Sequence, residues 1–117
     1  MNIKEKGALG EDIAEAYLIK KGYKILERNF RFGKHAEIDI IALDNETLVF
    51  IEVKTRTSFS NGFGREAVNR VKQKNIRLAA NYYIMKNKQS ERYCRFDVVE
   101  ITSSNGQTDI DLLQNAF

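Results

Sequence analysis

Two runs of β-branched and apolar residues, Ala36 to Leu43 (AEIDIIAL) and Thr47 to Arg56 (TLVFIEVKTR), are separated only by Asp44, Asn45 and Glu46. A β-hairpin is the simplest connection between them. Each run carries a carboxylate among its apolar residues, Asp39 in the first and Glu52 in the second. The two positions lie symmetrically about the midpoint between Asn45 and Glu46. Either a two-residue loop (Asn45 and Glu46) or a four-residue loop (Asp44 to Thr47) therefore sets Asp39 across from Glu52. Opposed residues in such a pair have Cβ atoms roughly 4.5 to 5.5 Å apart. A three- or five-residue loop, or a bulge, would break this registry.

Like charges facing each other on a sheet are destabilising, and burying them unpaired is worse. A bound divalent cation resolves the conflict. Magnesium takes oxygen ligands, retains several waters and sits between one or two carboxylates and a substrate phosphate, and manganese suits the same donors. Alternation along the strand puts Lys54 on the face of Glu52, together with Leu48, Phe50 and Arg56. Lys54 is thus placed to position or deprotonate a water, or to steady charge developing on a phosphoryl group. The competing reading is a solvent-facing ion pair of Glu52 and Lys54 with Asp39 merely nearby. Against it, Ile38, Ile40, Ile41, Val49, Phe50, Ile51 and Val53 make both faces of these strands apolar, as in buried strands.

Around the hairpin, residues from about Ile3 to Lys21 are rich in helix formers, with Leu9, Ile13, Ala16 and Tyr17 at helical spacing and Gly22 placed to end the helix. Tyr23 to Phe30 is patterned as a strand, and Arg31 to Lys34 as a turn. From Gly64 to about Lys86 the helical period returns, with Val68, Val71, Leu78, Ala79, Tyr82 and Met85 marking an apolar face. Arg92 to Ile101 reads as a further strand and SSNGQ as a turn, while Asp109 to Phe117 has no clear type. The expected core order is αβββαβ, an α/β fold in which a mixed sheet is flanked by helices and the second helix crosses over to a parallel last strand.

A chain of 117 residues fits a single domain, 1–117, and therefore one site. No apolar stretch approaches membrane-spanning length and the N-terminal segment lacks a signal-peptide pattern, so a cytoplasmic protein without a membrane partner is expected. The lone Cys94 has no partner for a disulfide and reads as a small buried residue in a strand. His35, also alone, reads as a loop residue, which leaves zinc chemistry unsupported. The net charge of +3 is unevenly placed: residues 61–117 carry nine basic and six acidic side chains, and residues 1–60 ten of each. Between 61 and 90, Arg65, Arg70, Lys72, Lys74, Arg77, Lys86 and Lys88 face Glu66 alone. Such a segment can follow a phosphate backbone, although charge by itself points more readily to a solvated helix face.

At EIDIIA and FIEVKTR the sequence resembles the PD-(D/E)XK superfamily of metal-dependent, restriction-endonuclease-like nucleases, whose signature is an Asp on one strand and Glu-X-Lys on the next. More closely, it resembles the YraN family of small bacterial proteins, which are similar to archaeal Holliday-junction resolvases. That likeness runs almost end to end, through GALGEDIAEAYL, GYKILERNFR, AEIDIIA, FIEVKTR, AVNRVKQKNI, RFDVVEI and the final QNAF. The resemblance implies metal-binding roles for Asp39 and Glu52, a catalytic role for Lys54 and a further metal ligand at Glu11 on the first helix. Glu11 shares a helical row with Gly7, Ala14 and Leu18 rather than with Leu9 and Ile13, so the docking of that helix decides whether it faces the site. Gly10 beside it would permit close packing on the sheet. Glu37 is an auxiliary acid two positions before Asp39, and Arg56 either touches phosphate or pairs with an acidic neighbour. Lys72, Gln73 and Lys74 resemble the helix position that approaches the site in related resolvases. The chain departs from the pattern at Ile38, where the signature has proline, and at Ala36, where the family usually has glycine.

The function so implied is that of a Mg²⁺- or Mn²⁺-dependent endonuclease hydrolysing phosphodiester bonds of DNA, including branched or structured DNA. The alternatives are a non-catalytic nucleic-acid-binding module accessory to recombination or repair, and a scaffold whose basic helix binds an acidic protein. A junction-cutting enzyme would be a homodimer by symmetry with its substrate.

Overall fold

The computed structural model describes residues 3–57 and 69–117. Helix α1 (Ile3–Lys20) is followed by strands β1 (Lys24–Phe32), β2 (Ala36–Asp44) and β3 (Thr47–Thr57), helix α2 (Arg70–Lys86), and strands β4 (Cys94–Ser104) and β5 (Gln107–Leu113). The strands form one sheet in chain order, β1-β2-β3-β4-β5. Neighbours are antiparallel except β3 and β4, which run parallel across the α2 connection. The expected αβββαβ order is present, extended to αβββαββ, and is consistent with a restriction-endonuclease-like core. The segment left untyped in the sequence is largely β5, joined to β4 by a tight turn in which Asn105 and Gly106 both take positive φ (49° and 77°). β5 is an exposed edge strand with few apolar residues, so it carries little hydrophobic signal.

The sheet separates two apolar layers. On one side, Ile76, Ala79, Ala80 and Tyr83 of α2 pack with Phe30, Ile38, Ile41, Leu48, Phe50 and Val98. On the other, Ala14 and Leu18 of α1 pack with Tyr23, Ile40, Ala42, Val49, Ile51, Val99 and Ile101. Both helices dock on rows that only partly coincide with the expected ones: Ile13, Ala79 and Tyr82 do pack on the sheet. Leu9 is 46% exposed, and Val71 and Met85 are 70% and 71% exposed, whereas the buried rows run through Gly10, Ala14 and Leu18 and through Ile76, Ala79, Ala80 and Tyr83. The buried rows combine small residues with the larger Leu18, Ile76 and Tyr83. At Gly10 an added Cβ would come within 2.5 Å of Thr55 Cγ2, a close approach that only glycine allows without movement.

The helix ends are fixed locally. Gly22 (φ 97°) ends α1 as expected: its N–H donates to Ile19 O at 3.0 Å and that of Tyr23 to Leu18 O at 2.9 Å, the paired bonds of a Schellman cap. α2 starts at Arg70, later than the expected Gly64, because Asn69 is extended and its side chain accepts the Lys72 N–H at 2.8 Å as N-cap. Gly64 to Val68 lie outside the described residues. Cys94 is exposed rather than buried, because it opens β4 at the rim of the sheet.

Candidate metal centre

The hairpin has the shorter of the two expected loops. Asp44 pairs with Thr47 around Asn45 and Glu46, and the register continues through Leu43↔Leu48, Ala42↔Val49 and Ile41↔Phe50 to Ile40↔Ile51. The regular pairing ends one step before Asp39 and Glu52, and there the Asp39 carboxylate takes over the ladder: Val53 N–H donates to Asp39 Oδ2 at 2.8 Å. Alternation in β2 changes at this point, since Ile38 belongs to the α2-side layer and Ile40 to the α1-side layer. β1 is irregular at the facing position, where Asn29 takes a positive φ of 54° between the pairs Arg28↔Ile40 and Phe30↔Ile38. The carboxylate thus stands where the strand turns from one layer to the other.

Asp39, Glu52 and Glu37 line a single cavity of about 320 Å³ with His35 and with Asn69, Val71, Lys72, Asn75 and Ile76 from the start of α2. Glu52 is only 4% exposed, and its Oε1 is 2.7 Å from Lys72 Nζ. Asp39 keeps part of its surface toward the cavity. Burial pushes the Asp39 carboxyl up to about 8, and repulsion from Glu52 and then from Glu11 adds to this, while the Val53 hydrogen bond and the Lys72 ammonium oppose it. Burial works against the Lys72 ammonium, but the hydrogen bond and charge of Glu52, with the fields of Asp39 and Glu37, hold its pKa above the usual lysine value.

Glu11 lies on the docked side of α1, next to the buried row of Gly10, Ala14 and Leu18. It is near enough to raise the pKa of Asp39, yet its own carboxylate is paired with Arg28 at 3.3 Å. Arg28 also holds Asp12 at 2.7 Å. Glu37 pairs with Arg31 at 3.1 Å. Lys54 is half-buried, follows Glu52 on the α2-facing side of β3 and pairs in register with Glu100 of β4; it is not among the cavity-lining residues. Of the two readings of Arg56, the structure contains the ion pair, at 3.7 Å from buried Glu100.

The basic residues of α2 divide between two places. Lys72 enters the carboxylate cavity, while Arg70, Lys74 and Arg77 line a shallow groove with Gln73, Leu78 and Asn81. Arg77 also lies over the rings of Phe96 and Phe117, at 4.6 and 5.7 Å from their centroids. Arg65 lies outside the described residues.

The donor set suits a hard divalent cation, because two carboxylates sit together where burial and mutual repulsion leave one of them without full compensation. Among the described residues, no three His, Cys, Asp or Glu side chains are gathered closely enough to form a complete cage. Asp39 and Glu52 are therefore the available ligands, with Glu37 lining the same cavity and Glu11 near enough to act on Asp39. Sequence reasoning missed Asn69 and Asn75 as cavity residues, and it did not foresee the contact between Lys72 and Glu52. The N-cap at Asn69 was the available signal, since it sets the first turn of α2 and with it the direction of Lys72.

A second polar cluster, also unforeseen, lies near the turn end of the hairpin. Asp97 is fully buried and accepts from Arg95 Nε and a terminal Arg95 nitrogen, both at 2.9 Å, and from the Asn115 backbone N–H at 3.0 Å. Arg95 also donates to Asp44 and to the Tyr23 hydroxyl, which accepts from Gln114 as well. With its charges paired and its hydrogen bonds made, this cluster ties β2, β4 and the C-terminal residues together.

Among the described residues no helix is long and apolar enough to cross a membrane. Residues 10–101 match the model of a family described as uncharacterised protein family UPF0102. A UPF0102 protein of Caldicellulosiruptor bescii is 47% identical, and one of Clostridioides difficile 48% identical, each over the whole of both chains. A UPF0102 protein of Geobacter metallireducens is 46% identical over 97% of this chain and 93% of its own. With most of its length matched by the family model and such relatives end to end, the chain belongs to the UPF0102 family, a YraN-like family as the sequence resemblance implied.

Proposed function

We propose that this protein is a divalent-metal-dependent nuclease that hydrolyses phosphodiester bonds of DNA, with branched or structured DNA as the substrate class that the likeness to junction resolvases favours. The observation that carries the reading is the juxtaposition of Asp39 and Glu52 in an open cavity, where Asp39 is held near pH 8 by burial and by its neighbour. A structural strand pair has no use for this conflict, whereas a magnesium or manganese site does.

Asp39 and Glu52 would hold the cation, with Glu11 a further ligand once it leaves its ion pair with Arg28. When bound, such an ion polarises a phosphoryl oxygen and makes water a better nucleophile near neutral pH. The chain's own residues do the remaining work. The Val53 N–H fixes one oxygen of Asp39, leaving the other for ligation. Lys54, two residues beyond Glu52 on the same face, stabilises negative charge developing on the transferred phosphoryl group. Arg70, Lys74 and Arg77, on the face of α2 turned away from the cavity, would hold more distant parts of the phosphate backbone.

A second reading, a nucleic-acid-binding module without cleavage, is supported by the ion pair between Lys72 and Glu52 and by the lack of a third gathered ligand among the described residues. The two readings separate on incubation with supercoiled, linear, single-stranded and four-way-junction DNA in magnesium or manganese. The nuclease reading expects cleavage of at least one substrate, reduced at least about a hundredfold in Asp39→Asn and Lys54→Ala. Salt-sensitive binding with no cleavage of any substrate would reject it in favour of the module.

A further inference from the structure

Lys72 is the one α2 cation that reaches into the carboxylate cavity rather than the groove outside it. Its Nζ lies 2.7 Å from an oxygen of Glu52, a side chain that is almost wholly buried, while half of the Lys72 side chain remains exposed. The field of Asp39 also acts on the ammonium. A single positive charge thus stands beside the same two carboxylates that suit a divalent ion. Two cations at one carboxylate oxygen repel each other, so both cannot occupy the position.

We infer that Lys72 is a tethered counter-ion of the metal-free centre, displaced from Glu52 when a divalent cation enters and then free to bind a substrate phosphate. This deepens the metal-centre reading and rests on it. Lys72 is the third residue of α2, and the N-cap bond from Asn69 fixes the backbone from which its long stem swings. Turned outward, the ammonium stays at the mouth of the cavity, where a phosphate bound at the centre would lie. The consequence is linkage: a phosphate that draws Lys72 away removes the competitor of the metal, and a metal that expels Lys72 frees a phosphate ligand. Metal and nucleic acid therefore strengthen each other's binding by the same factor.

The test is manganese binding measured by titration calorimetry without nucleic acid. It compares the wild-type chain with Lys72→Met, Lys72→Gln, Asp39→Asn and the charge control Lys74→Met, each first shown to be folded by circular dichroism. The inference expects both Lys72 variants to bind manganese about tenfold more tightly than wild type, with Lys74→Met close to wild type. It also expects a short duplex DNA to raise the manganese affinity of the wild type but not of the Lys72 variants. If wild type binds manganese, Asp39→Asn abolishes that binding and the Lys72 variants bind no more tightly, the counter-ion role is overturned and the metal centre stands. Equal tightening in Lys74→Met would also overturn it, by reducing the effect to net charge. Manganese bound by none of these proteins would overturn both the role and the metal centre beneath it.

Discussion

At Asp39 the electrostatic conflict of the centre falls on a single carboxyl group. Burial and the neighbouring Glu52 lift it to about 8, and the Val53 hydrogen bond and Lys72 offset only part of that rise. Below the ordinary carboxylate value the folded and unfolded chains both hold this proton. As pH climbs from there, the unfolded chain releases the proton while the folded chain retains it, so stability present at low pH is progressively lost up to about 8. The metal-free protein should therefore lose stability on this account across that window, by up to several kcal/mol. Asp39→Asn should remove much of the loss, and saturating manganese should flatten it in the wild type. Urea unfolding in chelator across that pH range measures the difference, and parallel curves for wild type and Asp39→Asn would contradict the account. The proximity of Asp39 and Glu52 was legible in the sequence because one hairpin brings them together, although the ladder ends at Ile40 and Ile51 and Asp39 bonds to Val53 N–H instead. The contact of Lys72 with Glu52 was not, because it depends on how a helix twenty residues away in sequence docks on the strand.

The hairpin was the most legible element, since its runs, loop and register all follow from alternation about one short turn. The helices were legible in existence but only partly in facing. Of the expected stripes Ile13, Ala79 and Tyr82 pack on the sheet, whereas Leu9, Val71, Leu78 and Met85 are exposed and Gly10, Ala14, Leu18, Ile76, Ala80 and Tyr83 are buried. Glu11 comes to the sheet with the Gly10 row, which makes the contact of Gly10 with Thr55 a determinant of the centre as well as of the fold. Replacing Gly10 by alanine gains about 0.5–1 kcal/mol of helix preference but crowds Thr55 Cγ2, and overpacking of this kind costs about 1–3 kcal/mol. Gly10→Ala should therefore lower stability by about 1 kcal/mol, whereas in a Thr55→Ala background the same change should raise it. Chemical denaturation of the four proteins in this cycle reads the coupling, and an equal effect of Gly10→Ala in both backgrounds would show that the close approach has no energetic weight.

Across the whole molecule the two polar centres differ in how their charges are satisfied. Around Asp97, Arg95, Tyr23 and Gln114 the partners come from opposite ends of the chain and pair the fully buried Asp97 with hydrogen bonds and an arginine. Nothing local in the sequence announces it, yet it accounts for the use of Gln114 and Asn115 in the final QNAF, whose Phe117 stacks on Phe96 at 5.1 Å. At Asp39 and Glu52 the charges are instead left open to a cavity, and the only cation that enters among the described residues is on a long and half-exposed stem. The metal site proposed above is the second centre. The order αβββαββ assembles it by bringing the β2–β3 hairpin, the first turn of α2 and the Gly10 row of α1 to one region. The most direct test is a crystal of the protein equilibrated with manganese and measured for anomalous scattering. The account predicts a peak within ligand distance of both Asp39 and Glu52, with Lys72 withdrawn from Glu52. An empty position at saturating manganese, with Lys72 still on Glu52, would contradict it.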